Sequence, residues 1–156
     1  MLTPVEHLTG TKQMSAKFFI DTNIFVYTFD STALIKQKKS QKIIAGALES
    51  GLGVISYQVV QEFINVATRK FKNPMSVHEC RQYVETIMQP LCEIYPTFDL
   101  YKRSLETMND TGYSFYDSLI VSASITSHCK ILYSEDLQAG HKISGVTIRN
   151  PFKYKD

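Results

Sequence analysis

No apolar run in this chain approaches the roughly 20 residues that a membrane-spanning helix requires. The opening stretch MLTPVEHLTGTKQMSAK lacks the apolar core of a secretory leader. Both absences set the expectation of a soluble, cytoplasmic protein. Cysteine is scarce. Cys80, Cys92 and Cys129 are odd in number and widely spaced, which excludes a disulfide framework and a zinc-binding spacing. Buried or idle thiols in a reducing compartment are the remaining reading. His7, His78, His128 and His141 are scattered and show no metal-binding spacing either. A strong charge of one sign is also missing, since 17 basic residues face 15 acidic ones and leave a net charge of +2. That sum neither demands nor excludes a polyanionic partner, and clustering matters more. KQKK at 36–39 with Lys42 forms one basic stretch, and RKFK at 69–72 forms another. Both alternate with polar or apolar residues, as solvated helix faces do. No internal repeat, linker or low-complexity segment is visible.

What is present suits one domain: 156 residues, 44% of them hydrophobic, can bury a core. Residues 1–16 are polar, carry Pro4 and Gly10, and show no periodicity. They read as a flexible tail, and 17–156 as the single domain. KFFI reads as a short buried strand. NIFVYTFD follows as a helix of about two turns, and 32–50 as a second helix ended by Gly51 and Gly53. GVIS is a second strand. YQVVQEFINVATRKF sets Val59, Val60, Phe63, Ile64 and Ala67 at helical spacing, and Asn73-Pro74 breaks it. SVHECRQYVETIM is a helix with Ser76 and Glu79 as a capping box. CEIY, between Pro90 and Pro96, is a short strand. Residues 97–110 and SFYDSLIVSASITSH are helices, and KILYS and GVTI are strands. Strands alternating with helices predict an α/β/α sandwich around a mainly parallel sheet.

That fold gives the acids a place. Asp21 stands at the carboxyl end of the first strand, where open α/β sheets bind their ligands. ILYSEDL repeats the pattern with Ser134, Glu135 and Asp136. The second strand ends near Ser56, and the helix after it carries Glu62 about 7.5 Å along its axis, on the flank of the apolar face. Asp117 lies in the first turn of a helix that is apolar almost all round. Each acid also has a purely structural explanation. Asp21 suits a helix cap, Asp117 lies three after Ser114 as in a helix N-terminal box, Glu62 suits a solvated flank, and Asp136 a turn. Together they fall at one end of one sheet. Four carboxylates gathered there raise each other's pKa unless a cation compensates. Oxygen-only donors without histidine or cysteine favour Mg2+ or Mn2+, which suits hydrolysis of a phosphodiester.

These residues resemble a PIN domain, and within that family the VapC-type toxin ribonucleases, over about residues 17–152. FFIDTNIFVYTFD resembles the opening strand and its Asp-x-Asn motif, with Asp21 as first metal-ligating acid and Asn23 organising the loop. SYQVVQEFINV supplies the matching Glu62, YSFYDSLIVSASI the matching Asp117, and LYSEDLQAG the matching Ser134 and Asp136. GVTIRNPF is similar to the closing strand and tail. No motif is specific alone, and Asp-x-Asn by itself is weak; the four in order, with matching local context, are a strong signal. The resemblance implies a Mg2+- or Mn2+-dependent endoribonuclease acting on RNA, a homodimer, and a small antitoxin partner. The helices around 57–71 and 76–89 are candidates for self-association or antitoxin contact. On this reading Asp21 and Asp117 ligate the metal directly, Asp136 directly or through water, and Glu62 through water or as an activator of the nucleophile. Ser134 and Asn23 orient carboxylates, Lys42 and Arg69 are candidates for the RNA backbone, and Glu135 has no assigned role.

Two rivals remain. One is a non-catalytic RNA-binding or regulatory module of the same fold, against which the intact acid set argues. The other is a phosphatase of the haloacid dehalogenase type. Its nucleophilic Asp also follows the first strand, but it needs a second acid two residues on, where this chain has Asn23.

Overall fold

The computed structural model describes residues 16–153; the amino-terminal tail expected over 1–16 lies, apart from residue 16, outside the described residues. A six-stranded sheet in the order β3-β2-β1-β4-β6-β5 organises the chain. Its strands are β1 (Phe18–Ile20), β2 (Gly53–Ser56), β3 (Cys92–Ile94), β4 (Ile131–Tyr133), β5 (Lys142–Ile143) and β6 (Val146–Arg149). Every pairing is parallel except β5 with β6. The helices are α1 (Thr22–Tyr27), α2 (Leu34–Ser50), α3 (Tyr57–Arg69), α4 (Val77–Tyr83), α5 (Phe98–Thr111) and α6 (Phe115–Thr126). Helices flank the mainly parallel sheet, as the alternation in the sequence predicts. α1 packs on α2 and α3, and α5 packs on α6, which in turn meets β2 and β4.

The core explains the short strands. Phe19, Ile20, Val54, Ile55 and Leu132 are completely buried, with Val146 and Ile148 nearly so. Parallel strands covered on both faces read as apolar runs rather than as alternation. From β1 the chain proceeds outward through β2 to β3, then returns to the other side of β1 as β4. The reversal lies between β1 and β4, and such a switch point opens a crevice at the carboxyl ends of the strands. Asp21 N–H donates to the Tyr133 carbonyl at 3.0 Å and closes that junction.

Close approach fixes Gly53. A Cβ there meets Ala47 Cβ at 2.2 Å and Ala47 Cα at 3.0 Å. Neither atom is the end of a flexible side chain, so α2 must back away from β2. Gly53→Ala is expected to destabilise the fold by roughly 2–3 kcal/mol, read as a lower urea midpoint. An unchanged midpoint means that α2 and β2 are not rigidly apposed.

The capping box expected at Ser76 and Glu79 forms, with both reciprocal bonds present at 3.1 and 2.8 Å. The helix expected to run on from it to Met88 does so only as far as Tyr83, where α4 gives way to one π turn over Val84–Met88. Pro90 has no N–H to continue the regular ladder, and a 3-10 turn over Gln89–Leu91 completes the change. The wider winding leaves Met88 and Leu91 in the core. Sequence reading also missed β5. Two residues are too few for a periodic signal; the hairpin turns on Ser144 and Gly145, both with positive φ (47° and 85°), the backbone that a tight hairpin with right-handed twist requires.

Candidate active site

Asp21 serves two structures at once. It is the N-cap of α1, its Oδ1 accepting from Thr22 N–H at 2.7 Å. Its Oδ2 accepts from the Ser134 hydroxyl at 2.7 Å, across the β1–β4 junction. The expected helix cap is thus formed by one oxygen, while the other ties α1 to the end of β4. Asn23 lies one residue into α1, and its Nδ2 reaches Asp21 Oδ2 at 3.5 Å and Asp136 Oδ2 at 3.0 Å. Ser134, fully buried after β4, also accepts from Asp136 N–H at 3.2 Å. Asp21, Asn23, Ser134 and Asp136 therefore form one hydrogen-bonded group across the switch point.

Glu62 joins it through α1. Its Oε2 accepts from the Thr22 hydroxyl at 2.6 Å, and its Oε1 from Gln58 Nε2 at 2.8 Å. Gln58 also donates to the Tyr116 carbonyl at 3.2 Å, which ties α3 to the residue before Asp117. Asp117 stands half-buried in the first turn of α6, where its N–H donates to Ser114 Oγ at 3.2 Å. Of the expected N-terminal box, the Ser114 cap is formed. The structure thus joins Asp21 with Asp136, and Glu62 with the residue next to Asp21. It brings Asp117 only to the neighbouring rim, and among the described residues no three acidic, histidine or cysteine side chains converge on one point. Of the basic residues expected along an RNA path, Lys42 is exposed on α2 and Arg69 closes α3, about 10 Å along the axis from Glu62.

The electrostatics single out Asp21. Burial pushes its pKa up to about 6, the bonds from Ser134 and Thr22 hold it back, and Glu62 and Asp136 push it further. The acids therefore feel one another. Among the described residues none of the four forms an ion pair. Glu135 differs: burial works to raise it, but hydrogen bonds from Lys36 and Tyr27 outweigh that and hold it below the usual carboxylate value.

Thr22 and Gln58 were not foreseen. Gln58 had a signal, because residues four apart share a helix face and a Gln can hold a Glu there. Thr22 had none, because its hydroxyl meets a residue 40 positions away. A cleft of about 710 Å3 opens between the ends of α1 and α3, lined by Phe29, Phe71 and Met75 with Lys70 and Lys72, and holds none of the four acids.

The PIN domain family profile matches residues 18–141. The chain belongs to the PIN-domain family. Solved structures share the PIN fold at low identity. A toxin–antitoxin complex from Klebsiella pneumoniae superposes with a TM-score of 0.61 at 16% identity, covering 88% of this chain and 100% of that one. VapC20 of Mycobacterium tuberculosis, a Sarcin-Ricin loop cleaving toxin, gives 0.57 at 14%, covering 77% and 90%. FitAcB from Neisseria gonorrhoeae gives 0.57 at 14%, covering 88% and 99%. No curated protein sequence matches. Among the described residues no helix of this PIN domain is long and apolar enough to cross a membrane.

The donor set fits a hard divalent cation. All four acids offer oxygen, which suits Mg2+ or Mn2+. Asp21 is raised chiefly by burial, with Glu62 and Asp136 adding to it, and the Asn23 amide donates to the two carboxylates that a cation would also satisfy. Gln58 Oε1 and Ser118 Oγ, next to Glu62 and Asp117 on their helices or in sequence, are buried without a hydrogen-bond partner among the described residues. Such oxygens suit the waters that Mg2+ retains. Asn23 meanwhile acts as a donor to both acids and has no carboxylic proton to give, which removes the phosphatase reading.

Proposed function

We propose that this PIN domain is a divalent-metal-dependent endoribonuclease, the toxin of a VapBC-type pair. The observation that carries the reading is the buried Asp21 at the switch point of the sheet, joined to Asp136 through Asn23 and Ser134 and to Glu62 through Thr22. Asp21, Asp117 and Asp136 are the residues we assign to hold the metal. When bound, Mg2+ or Mn2+ supplies charge neutralisation and water activation for phosphodiester hydrolysis. Ser134 and Asn23 orient Asp21 and Asp136 through the bonds described above. Glu62, gripped at both oxygens by Thr22 and Gln58, is held ready to hydrogen-bond an attacking water or take its proton.

The toxin assignment is supported by the solved relatives, one of them a Sarcin-Ricin loop cleaving toxin and another a toxin–antitoxin complex. A small antitoxin and a second copy of the chain are the partners we propose, with helices over 57–71 and 76–89 as the contact elements. The cleft between α1 and α3 borders both segments. We place the protein in the cytoplasm, with residues 17–156 as one nuclease domain.

The test is RNA cleavage by the purified chain. Total RNA is expected to be cut at discrete sites with Mg2+ or Mn2+, and excess EDTA is expected to stop cutting reversibly. Cleavage that persists unchanged in EDTA removes the metal-dependent reading. A tight calorimetric Mn2+ site without any turnover favours the non-catalytic module instead.

A further inference from the structure

The acid group has a cation at its rim, and that cation is already engaged. Lys36, in the first turn of α2, forms an ion pair with Glu135 and donates to the Tyr27 hydroxyl at 3.3 Å. Its ammonium also lies over the rings of Tyr27 at 4.8 Å and Phe152 at 5.4 Å, and those two rings meet edge to face at 5.2 Å. Glu135 in turn is one residue from Asp136, and its N–H donates to Asn23 Oδ1 at 3.4 Å. Asn23 is the residue whose amide donates to Asp21 and Asp136. One side chain therefore separates this ion pair from the proposed metal-holding acids.

The geometry points to Lys36 as the residue that holds a phosphate of the RNA beside the cleaved bond, with Glu135 as its resting counter-ion that the phosphate displaces. The inference rests on the ribonuclease reading above. An ordinary surface ion pair needs no aromatic support and contributes little. Here two rings and the Tyr27 hydroxyl hold the ammonium itself, so it stays in place whichever anion it faces. The side chain is 35% exposed and that of Glu135 25%, so solvent, and hence a phosphate, reaches the pair. A lysine head carries three donors on a compact charge, and rotation redirects them without moving the stem. Glu135, so near Asp136, repels RNA while it remains ionised. That gives it an opposite expected effect from the four acids: they serve cleavage, and it restrains binding.

The test measures binding of a short fluorescein-labelled single-stranded RNA of mixed sequence by anisotropy, in EDTA to prevent cutting, across a salt series. The full-length chain is used, and thermal melts confirm folding. Lys36→Met is expected to bind roughly tenfold more weakly, the loss of one charged hydrogen bond. Its plot of log K against log salt should be shallower by about 0.7, the value for one phosphate on a single strand. Lys36→Arg should retain most binding. Glu135→Gln should bind more tightly than the parent. If the parent binds RNA and Lys36→Met matches it in affinity and slope, Lys36 is not a phosphate contact, while the ribonuclease reading stands. If Glu135→Gln binds no better and loses turnover, Glu135 belongs with the catalytic acids and the counter-ion role fails. If the parent itself binds no RNA in EDTA, the phosphate-contact inference falls, and the ribonuclease reading is judged by the cleavage assay above.

Discussion

Asp21→Asn is expected to slow RNA cleavage by about 100-fold or more while raising the melting temperature of the metal-free protein at neutral pH. The two effects have one origin. Burial lifts the Asp21 carboxyl from 3.8 to about 6, and Glu62 and Asp136 add to it. A carboxyl whose folded pKa lies above its unfolded value binds more protons folded than unfolded, so stability falls as pH rises through that interval. Below about pH 4 both states are protonated and Asp21 costs nothing. Above about pH 6 the full cost applies, about 3 kcal/mol for a shift of roughly two units.

Asparagine removes the charge and keeps the shape. Its carbonyl accepts from Thr22 N–H, and its amide faces Ser134, whose hydroxyl oxygen can accept as well as donate. Some of the gain is lost in that exchange, which leaves about 1–3 kcal/mol at pH 8. The corresponding rise is roughly 2–4 °C per kcal/mol for a chain of this size, and it should vanish below pH 4. Added Mg2+ or Mn2+ should raise the melting temperature of the parent, since it binds the folded state, and leave Asp21→Asn nearly unmoved. Asp117→Asn is the companion. It should also lose cleavage, yet change stability little, because Asp117 is half-exposed. Melts in EDTA between pH 4 and 8, beside cleavage assays, decide it. An Asp21→Asn protein that melts lower than the parent at pH 8 refutes the electrostatic account, and one that cuts as fast refutes the site.

The same residue shows what a sequence can convey about such a site. Asp21 was legible because a strand of three large apolar residues ends at it, and the parallel fold directs strand ends to one edge. Ser114 with Asp117, and Ser76 with Glu79, were legible because a helix cap is a local event with fixed spacing. The grip on Glu62 was half legible: Gln58 sits one turn away on the same helix, whereas Thr22 arrives from 40 residues off. Glu135 had no assigned role because its partner Lys36 is 99 positions distant. KQKK reads as a uniform basic stretch, and nothing in it distinguishes the one lysine that the fold turns toward Tyr27 and Phe152. Long-range pairing of side chains depends on how the helices pack on the sheet, and that packing is carried by shape rather than by pattern.

That packing is concentrated at Phe63, and Phe63→Ala is the substitution expected to damage the fold most. The ring is completely buried. It stacks on Tyr83 at 4.8 Å, meets Phe25 edge-on at 6.4 Å and Phe71 at 6.2 Å, and lies against Phe29 at 6.0 Å. It therefore joins α3 to α1, to the end of α4 and to the segment after α3. Truncation to alanine in a fully packed core costs about 3–5 kcal/mol, from lost transfer energy and from the cavity left behind. Against a total stability of about 5–15 kcal/mol, a large part of the population unfolds under mild stress. Phe63→Leu fills most of the volume and should cost less than half as much. The site is coupled to this cluster because Glu62 precedes Phe63 and is held by Thr22, three residues before Phe25. Where the Phe63→Ala chain is still folded, the Thr22–Glu62 bond has lost the packing that sets its length, so cleavage should fall, but by far less than in Asp21→Asn. Urea unfolding and cleavage at low temperature test both halves. A loss of stability under 1 kcal/mol shows that the aromatic cluster does not hold α1 on α3. A loss of cleavage as complete as that of Asp21→Asn in a chain shown to be folded shows that Glu62 depends on this packing far more than its two hydrogen bonds imply.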